Sequence, residues 1–129
     1  MKIHHIGYLV ENIEAAIEQF LSDGGTLIKS SVYDKNRLVD IAFVEVDNLL
    51  IELVSPHEGS EDVGKSIQRL KCIPYHLCFE CDNLEDEIER KVQGGDMLVK
   101  DPQYAIALEN RRVAFFYSEQ LGLYEVVEK

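Results

Sequence analysis

His5-Ile6-Gly7-Tyr8-Leu9-Val10-Glu11-Asn12-Ile13-Glu14 returns 71 positions later as His76-Leu77-Cys78-Phe79-Glu80-Cys81-Asp82-Asn83-Leu84-Glu85. Three of the ten positions are identical and four are conservative. The correspondence continues past this decade. Gly24-Gly25 matches Gly94-Gly95, Ile41-Ala42-Phe43-Val44 matches Val113-Ala114-Phe115-Phe116, and Glu52-Leu53-Val54 matches Glu125-Val126-Val127. One module of about 55 to 60 residues is therefore written twice, the mark of an architectural unit used more than once.

Each copy reads β-α-β-β-β. In the first, the strand from Ile3 to Val10 leads to Asn12, a helix cap, and then to Ile13, Ala16, Ile17, Phe20 and Leu21 at helical spacing. Gly24-Gly25 stops the helix. Strands are expected at Thr26–Tyr33, Leu38–Val46 and Leu49–Val54, with Asp34-Lys35-Asn36 and Asp47-Asn48 as turns. The second copy repeats the order from Tyr75, with Leu84, Ile88 and Val92 on one helix face and a final hairpin over Arg111–Ser118 and Leu121–Val127. Asp101 to Asn110 contains Pro102 and is expected as a loop or bent strand. The predicted organisation is a single α+β domain spanning 1–129. Module one covers about 1–56, a linker helix about 57–73, and module two about 74–129.

Composition narrows the partners. A formal charge of −11 argues against nucleic acid and against anionic membrane surfaces. No run reaches the length of a membrane span. Met1-Lys2-Ile3-His4-His5 carries no apolar signal region, and three cysteines make no disulfide framework, so a cytoplasmic location is expected. The basic residues Lys65, Arg69, Lys71, Arg90, Lys91, Arg111 and Arg112 read mainly as solvated surface.

The duplication also doubles four residues that can carry chemistry. Alternation along the strand sends His4 and His5 to opposite faces, and the repeat selects His5 as the counterpart of His76. Glu52 and Glu125 each sit inside an apolar strand, where a carboxylate needs a cation or hydrogen bonds to stay charged. Singly, each of the four reads as structural or solvent-facing. Together, His5, Glu52, His76 and Glu125 form a set suited to one divalent ion, whether Zn, Ni, Co, Mn or Fe. Cys78 and Cys81 have C-x-x-C spacing but should face opposite ways on a strand, which argues against a shared zinc or redox pair. Cys78 shares the facing of His76, and His57 reads as a solvated loop residue.

The histidine openings, the β-α-β-β-β duplication and the late glutamates resemble the vicinal oxygen chelate superfamily. Within it, Ile51-Glu52-Leu53-Val54-Ser55-Pro56, Tyr75-His76-Leu77-Cys78-Phe79-Glu80 and Arg112-Val113-Ala114-Phe115 are most similar to methylmalonyl-CoA epimerase and its small relatives. That resemblance implies a partly open, eight-stranded, barrel-like sheet around a cavity, usually in a homodimer. It implies metal ligation at His5, Glu52, His76 and Glu125, with Glu125 also transferring protons. The implied activity is a metal-dependent isomerase or epimerase that stabilises an enolate-type intermediate of a small acyl or oxo-acid substrate. A non-catalytic ligand-binding protein of the same fold, or a dioxygenase-type member, is the alternative. Some epimerases carry a second carboxylate in the region of Asp40, which otherwise reads as a turn residue.

Overall fold

A computed structural model describes all 129 residues. They group into two compact units, Met1–His5 with His76–Lys129, and Ile6–Tyr75. Strand β1 (Lys2–Leu9) contributes its first half to one unit and its second half to the other.

In the Ile6–Tyr75 unit, helix α1 (Ile13–Ser22) starts where the Asn12 side chain accepts the Ala15 N–H at 3.0 Å. That bond satisfies one of the helix's open amides. Ile13 and Ile17 then pack with Val10, Ala42, Val44, Ile51 and Leu53. The helix is followed by β2 (Thr26–Asp34), β3 (Val39–Val46), β4 (Leu49–Pro56) and the short α2 (Lys65–Gln68). Asp47 and Asn48 are both left-handed (φ 51° and 65°), as a two-residue hairpin turn of the primed type requires. Strands β1 and β4 run parallel with Gly7 opposite Glu52, and β3 lies antiparallel with Phe43 opposite Glu52.

The other unit repeats this in detail. Strand β5 (Ile73–Cys81), which begins in the Ile6–Tyr75 unit, leads into helix α3 (Leu84–Gln93), and the Asn83 side chain accepts the Asp86 N–H at 2.9 Å. Strands β6 (Met97–Leu98), β7 (Gln103–Ala105), β8 (Arg111–Ser118) and β9 (Gly122–Glu128) follow. Leu84 packs with Ala114, Phe116, Tyr124 and Val126. Cys78 and Phe115 both stand opposite Glu125. The rung Gly7–Glu52–Phe43 is thus rebuilt as Cys78–Glu125–Phe115. Where the sequence aligns Gly24 with Gly94, the backbone pairs Gly24 with Gly95. These are the residues that end each helix with positive φ, 95° and 102°.

The expected eight-stranded barrel-like sheet does not form. Nine strands make one open sheet in the order β2-β3-β4-β1-β5-β9-β8-β6, with β7 paired to β8 off that path. β2 and β6 end the row without pairing to each other, so the ladder never closes. Closure needs matched strands at both edges. Here β6 has two residues, and Pro102, without an N–H, lies in the break before β7. The other edge, β2, carries register shifts between Leu27 and Lys29 and between Lys29 and Val32, which interrupt its free ladder. The irregular stretch expected around Pro102 resolves into β7 and a 3-10 turn over Ile106–Leu108, whose Ala107 and Leu108 are buried.

Candidate metal centre

Alternation along the strands decides which side chains meet. In each unit the helix covers the sheet face that carries Ile51 and Leu53, or Tyr124 and Val126. The residue between each pair, Glu52 or Glu125, therefore points to the opposite face. His76 lies two residues before Cys78, the rung partner of Glu125, and so shares the face of Glu125. His5 stands in the same relation to Gly7 and Glu52.

Within one unit, His5, His76 and Glu125 converge. His5 Nε2 is 3.2 Å from His76 Nε2 and 3.1 Å from Glu125 Oε1, and His76 Nε2 is 3.3 Å from the same oxygen. The two imidazoles meet edge to face at 79°. Phe115 packs edge-on against the other side of the His76 ring, with centroids 5.4 Å apart. All three polar residues are buried. Burial pushes the Glu125 carboxyl up, but the His5 and His76 imidazoles beside it outweigh that and hold it well below the usual carboxylate range. It is a charged carboxylate at neutral pH.

The donor triangle fits a cation. Nitrogen and oxygen ligands at about 2.1 Å from one ion lie about 3.0 to 3.4 Å apart, for right-angled to tetrahedral geometry. The three observed edges fall inside that interval. Glu125 Oε1 is buried and near both nitrogens, yet lies in line for a well-formed hydrogen bond with neither. A carboxylate oxygen left so in the interior is stabilised by a positive charge at the centre it faces. Glu52, on β4 in the other unit, is also buried. His5, His76 and Glu125 together make a buried His/Glu set suited to a divalent ion.

Other candidate residues sort differently. Asp40 is a β3 residue opposite Ser55, on the reverse face from Phe43 and Glu52, and it pairs with His57 (Oδ2 to Nε2, 2.9 Å). That placement takes it away from the Glu52 face, and His57 is a paired residue against the Tyr33 ring. Cys81 packs into the α3 core, where burial raises its thiol to about 11, while Cys78 faces the histidine side. The two cysteines are on opposite faces, as alternation requires. Arg90 pairs with Glu87, and Arg112 with Glu85 and Glu128.

Two residues near the centre escape the sequence reading. His4, assigned to the far face, meets His5 edge-on, with their Nδ1 atoms 2.9 Å apart. Arg111 reaches His4 Nε2 with Nη1 at 3.2 Å. Burial first, then the nearby His5 and Arg111, holds the His4 ring below the ordinary histidine range. The only sequence signal was the adjacency of two histidines, because Arg111 looks like any surface arginine.

Comparison with known proteins adds the family. The family model of the glyoxalase/bleomycin resistance protein/dioxygenase superfamily matches residues 4–115. An ethylmalonyl-CoA/methylmalonyl-CoA epimerase of Cereibacter sphaeroides is 21% identical over 122 residues, covering 94% of this chain and 91% of that protein. A hypothetical protein from Bacillus halodurans C-125 has a similar structure, with TM-score 0.85, 28% identity, and coverage of 99% of this chain and 94% of that one. A variant of Streptomyces coelicolor methylmalonyl-CoA epimerase, in complex with 2-nitronate-propionyl-CoA, also has TM-score 0.85. It shares 18% identity, over 100% of this chain and 94% of the other, and so speaks for the fold.

Proposed function

Because the chain belongs to the glyoxalase/bleomycin resistance protein/dioxygenase superfamily, we propose that it is a metal-dependent isomerase of the epimerase type. Its substrate is a small acyl or oxo-acid molecule with an acidic carbon beside a carbonyl. The observation that carries this reading is the buried triangle of His5 Nε2, His76 Nε2 and Glu125 Oε1. A pocket that only sequesters a ligand has no need of two imidazoles and an ionised carboxylate aimed at one point.

His5, His76 and Glu125 hold the ion, and Glu52 is the fourth ligand. Its support is its burial and its register opposite Gly7, the place that Glu125 holds opposite Cys78. A divalent ion bound there supplies Lewis-acid stabilisation of negative charge on a substrate carbonyl oxygen, worth several kcal/mol of barrier. Glu125 is ionised, so its carboxylate can accept the proton released from the neighbouring carbon and return it. Phe115 packs against the His76 ring, and the burial of Glu125 keeps water from competing for that proton.

In this reading the 129 residues act as one domain, in a cytoplasmic homodimer that takes a small molecule and no nucleic acid. The acidic charge supports the last point, and no helix is long and apolar enough to cross a membrane. The epimerase relatives make acyl-CoA thioesters the first substrates to test. Solvent deuterium should enter methylmalonyl-CoA or ethylmalonyl-CoA at the carbon between the carbonyls with metal-loaded protein, and not with His76→Ala. Full metal loading with no exchange into these thioesters or into simple 2-oxo acids would overturn the isomerase.

A further inference from the structure

His4 stands between a candidate ligand and a cation, and the hydrogen bonds it makes have a direction. Arg111 is anchored on its far side. Its Nε donates to the Glu128 carbonyl at 2.8 Å and its Nη2 to Glu80 Oε2 at 2.9 Å, while Nη1 faces His4 Nε2 at 3.2 Å. A guanidinium has only donors, so His4 Nε2 must accept. A neutral imidazole that accepts at Nε2 carries its proton on Nδ1, and His4 Nδ1 therefore donates to His5 Nδ1, 2.9 Å away. His5 is left with its proton on Nε2, directed at His76 Nε2 at 3.2 Å. The chain of donation runs from Arg111 through His4 and His5 to His76. It puts a proton on a nitrogen that must be bare to bind metal.

Resting on the metal-site reading above, we propose that Arg111 and His4 are positioning residues that set the His5 tautomer against the cation. Loading a metal then reverses the His4–His5 hydrogen bond and displaces Arg111 from His4. The protons balance. His5 exchanges a proton on Nε2 for one on Nδ1, and His4 exchanges one on Nδ1 for one on Nε2. The pair holds two ring protons before and after, and its charge is unchanged. The reversed state sets the His4 Nε2–H against the Arg111 N–H, donor against donor. This contact opposes metal binding, so the outer pair lowers affinity, whereas an outer partner that donates nothing into the ligand would raise it. The same guanidinium disfavours a separate cation at His4, His5 and Cys78, a second cluster of donors that shares His5 with the first.

Long-range proton–nitrogen spectra of protein labelled with nitrogen-15 histidine, taken zinc-free and with Zn²⁺, read the tautomers directly. His4 should be protonated at Nδ1 without zinc and at Nε2 with it. Arg111→Met, which keeps the apolar stem and removes the donor, should bind Zn²⁺ about tenfold more tightly, within the range of outer-partner effects. An unchanged His4 tautomer on zinc loading, or equal or weaker binding by Arg111→Met, would overturn the proposal while leaving the metal site standing. Failure of the unaltered protein to bind Zn²⁺, with His5 and His76 signals unmoved, would instead remove the metal site, and this inference with it. The wild-type spectra decide even if the variant folds poorly.

Discussion

Phe115 stands opposite Glu125 across the β8–β9 hairpin and closes its ring edge-on against His76. One rung of the sheet therefore sets both the carboxylate and the orientation of the imidazole beside it. The equivalent rung of the other copy pairs Phe43 with Glu52.

Replacing Phe115 by Ala should loosen His76 as well as leave a cavity. Stability should fall by about 1 to 2 kcal/mol, less than for a fully buried aromatic because Phe115 is half-buried. Metal affinity should fall too. Phe115→Leu should recover most of the stability but less of the affinity, which chemical denaturation and a metal titration on the same samples would separate. Equal recovery of both would confine Phe115 to packing.

The carboxylate of Glu125 gives a signed pH effect. Its folded value is depressed, so the metal-free protein gains stability from it that is fully present above the ordinary Glu value of about 4.3. That gain is lost as the pH falls through the lower folded value. Glu125→Gln should flatten the acid limb of the stability curve over that window, so that the two proteins differ most near neutrality and converge at low pH. Acid limbs of identical slope in the two proteins would contradict the assignment.

Glu52→Gln tests the fourth ligand. The amide is nearly isosteric, so the packing around position 52 is kept while the ligand set loses a carboxylate. Metal affinity should drop by at least about tenfold. Calorimetric titration with Zn²⁺ reads this effect, and unchanged affinity would remove Glu52 from the ligand set.

The caps offer a test of the duplication itself. Asn12→Ala and Asn83→Ala should each cost about 1 kcal/mol, because each side chain accepts one open amide of its helix. Similar losses by urea denaturation are expected for the two copies.

How much of this the sequence carries depends on whether the feature is local or repeated. Asn12 with Asn83, and Glu52 with Glu125, are legible because each pair occupies the same local position twice. A shared offset then implies a shared register, and Gly7–Glu52 and Cys78–Glu125 confirm it. Sheet closure is not legible in that way, since it depends on whether two distant edges pair. The two-residue β6 beside Pro102 settles that against a barrel. The contact of His4 with His5 was hidden for another reason. Alternation describes where Cβ atoms point, and it does not forbid two neighbouring rings from meeting at their Nδ1 atoms. Gly24 and Gly95 show a smaller version of the same limit, because adjacent glycines leave open which one takes the left-handed turn.

Titration of metal-free protein with Co²⁺, followed by X-ray absorption on the loaded sample, addresses the centre most directly. One equivalent should bind, with two imidazoles in the first shell at about 2.1 Å and the remaining ligands oxygen. Both His5→Ala and His76→Ala should abolish the stoichiometric phase. Absence of saturable binding, or a spectrum that survives loss of both histidines, would show that the buried nitrogens and carboxylate serve the fold alone.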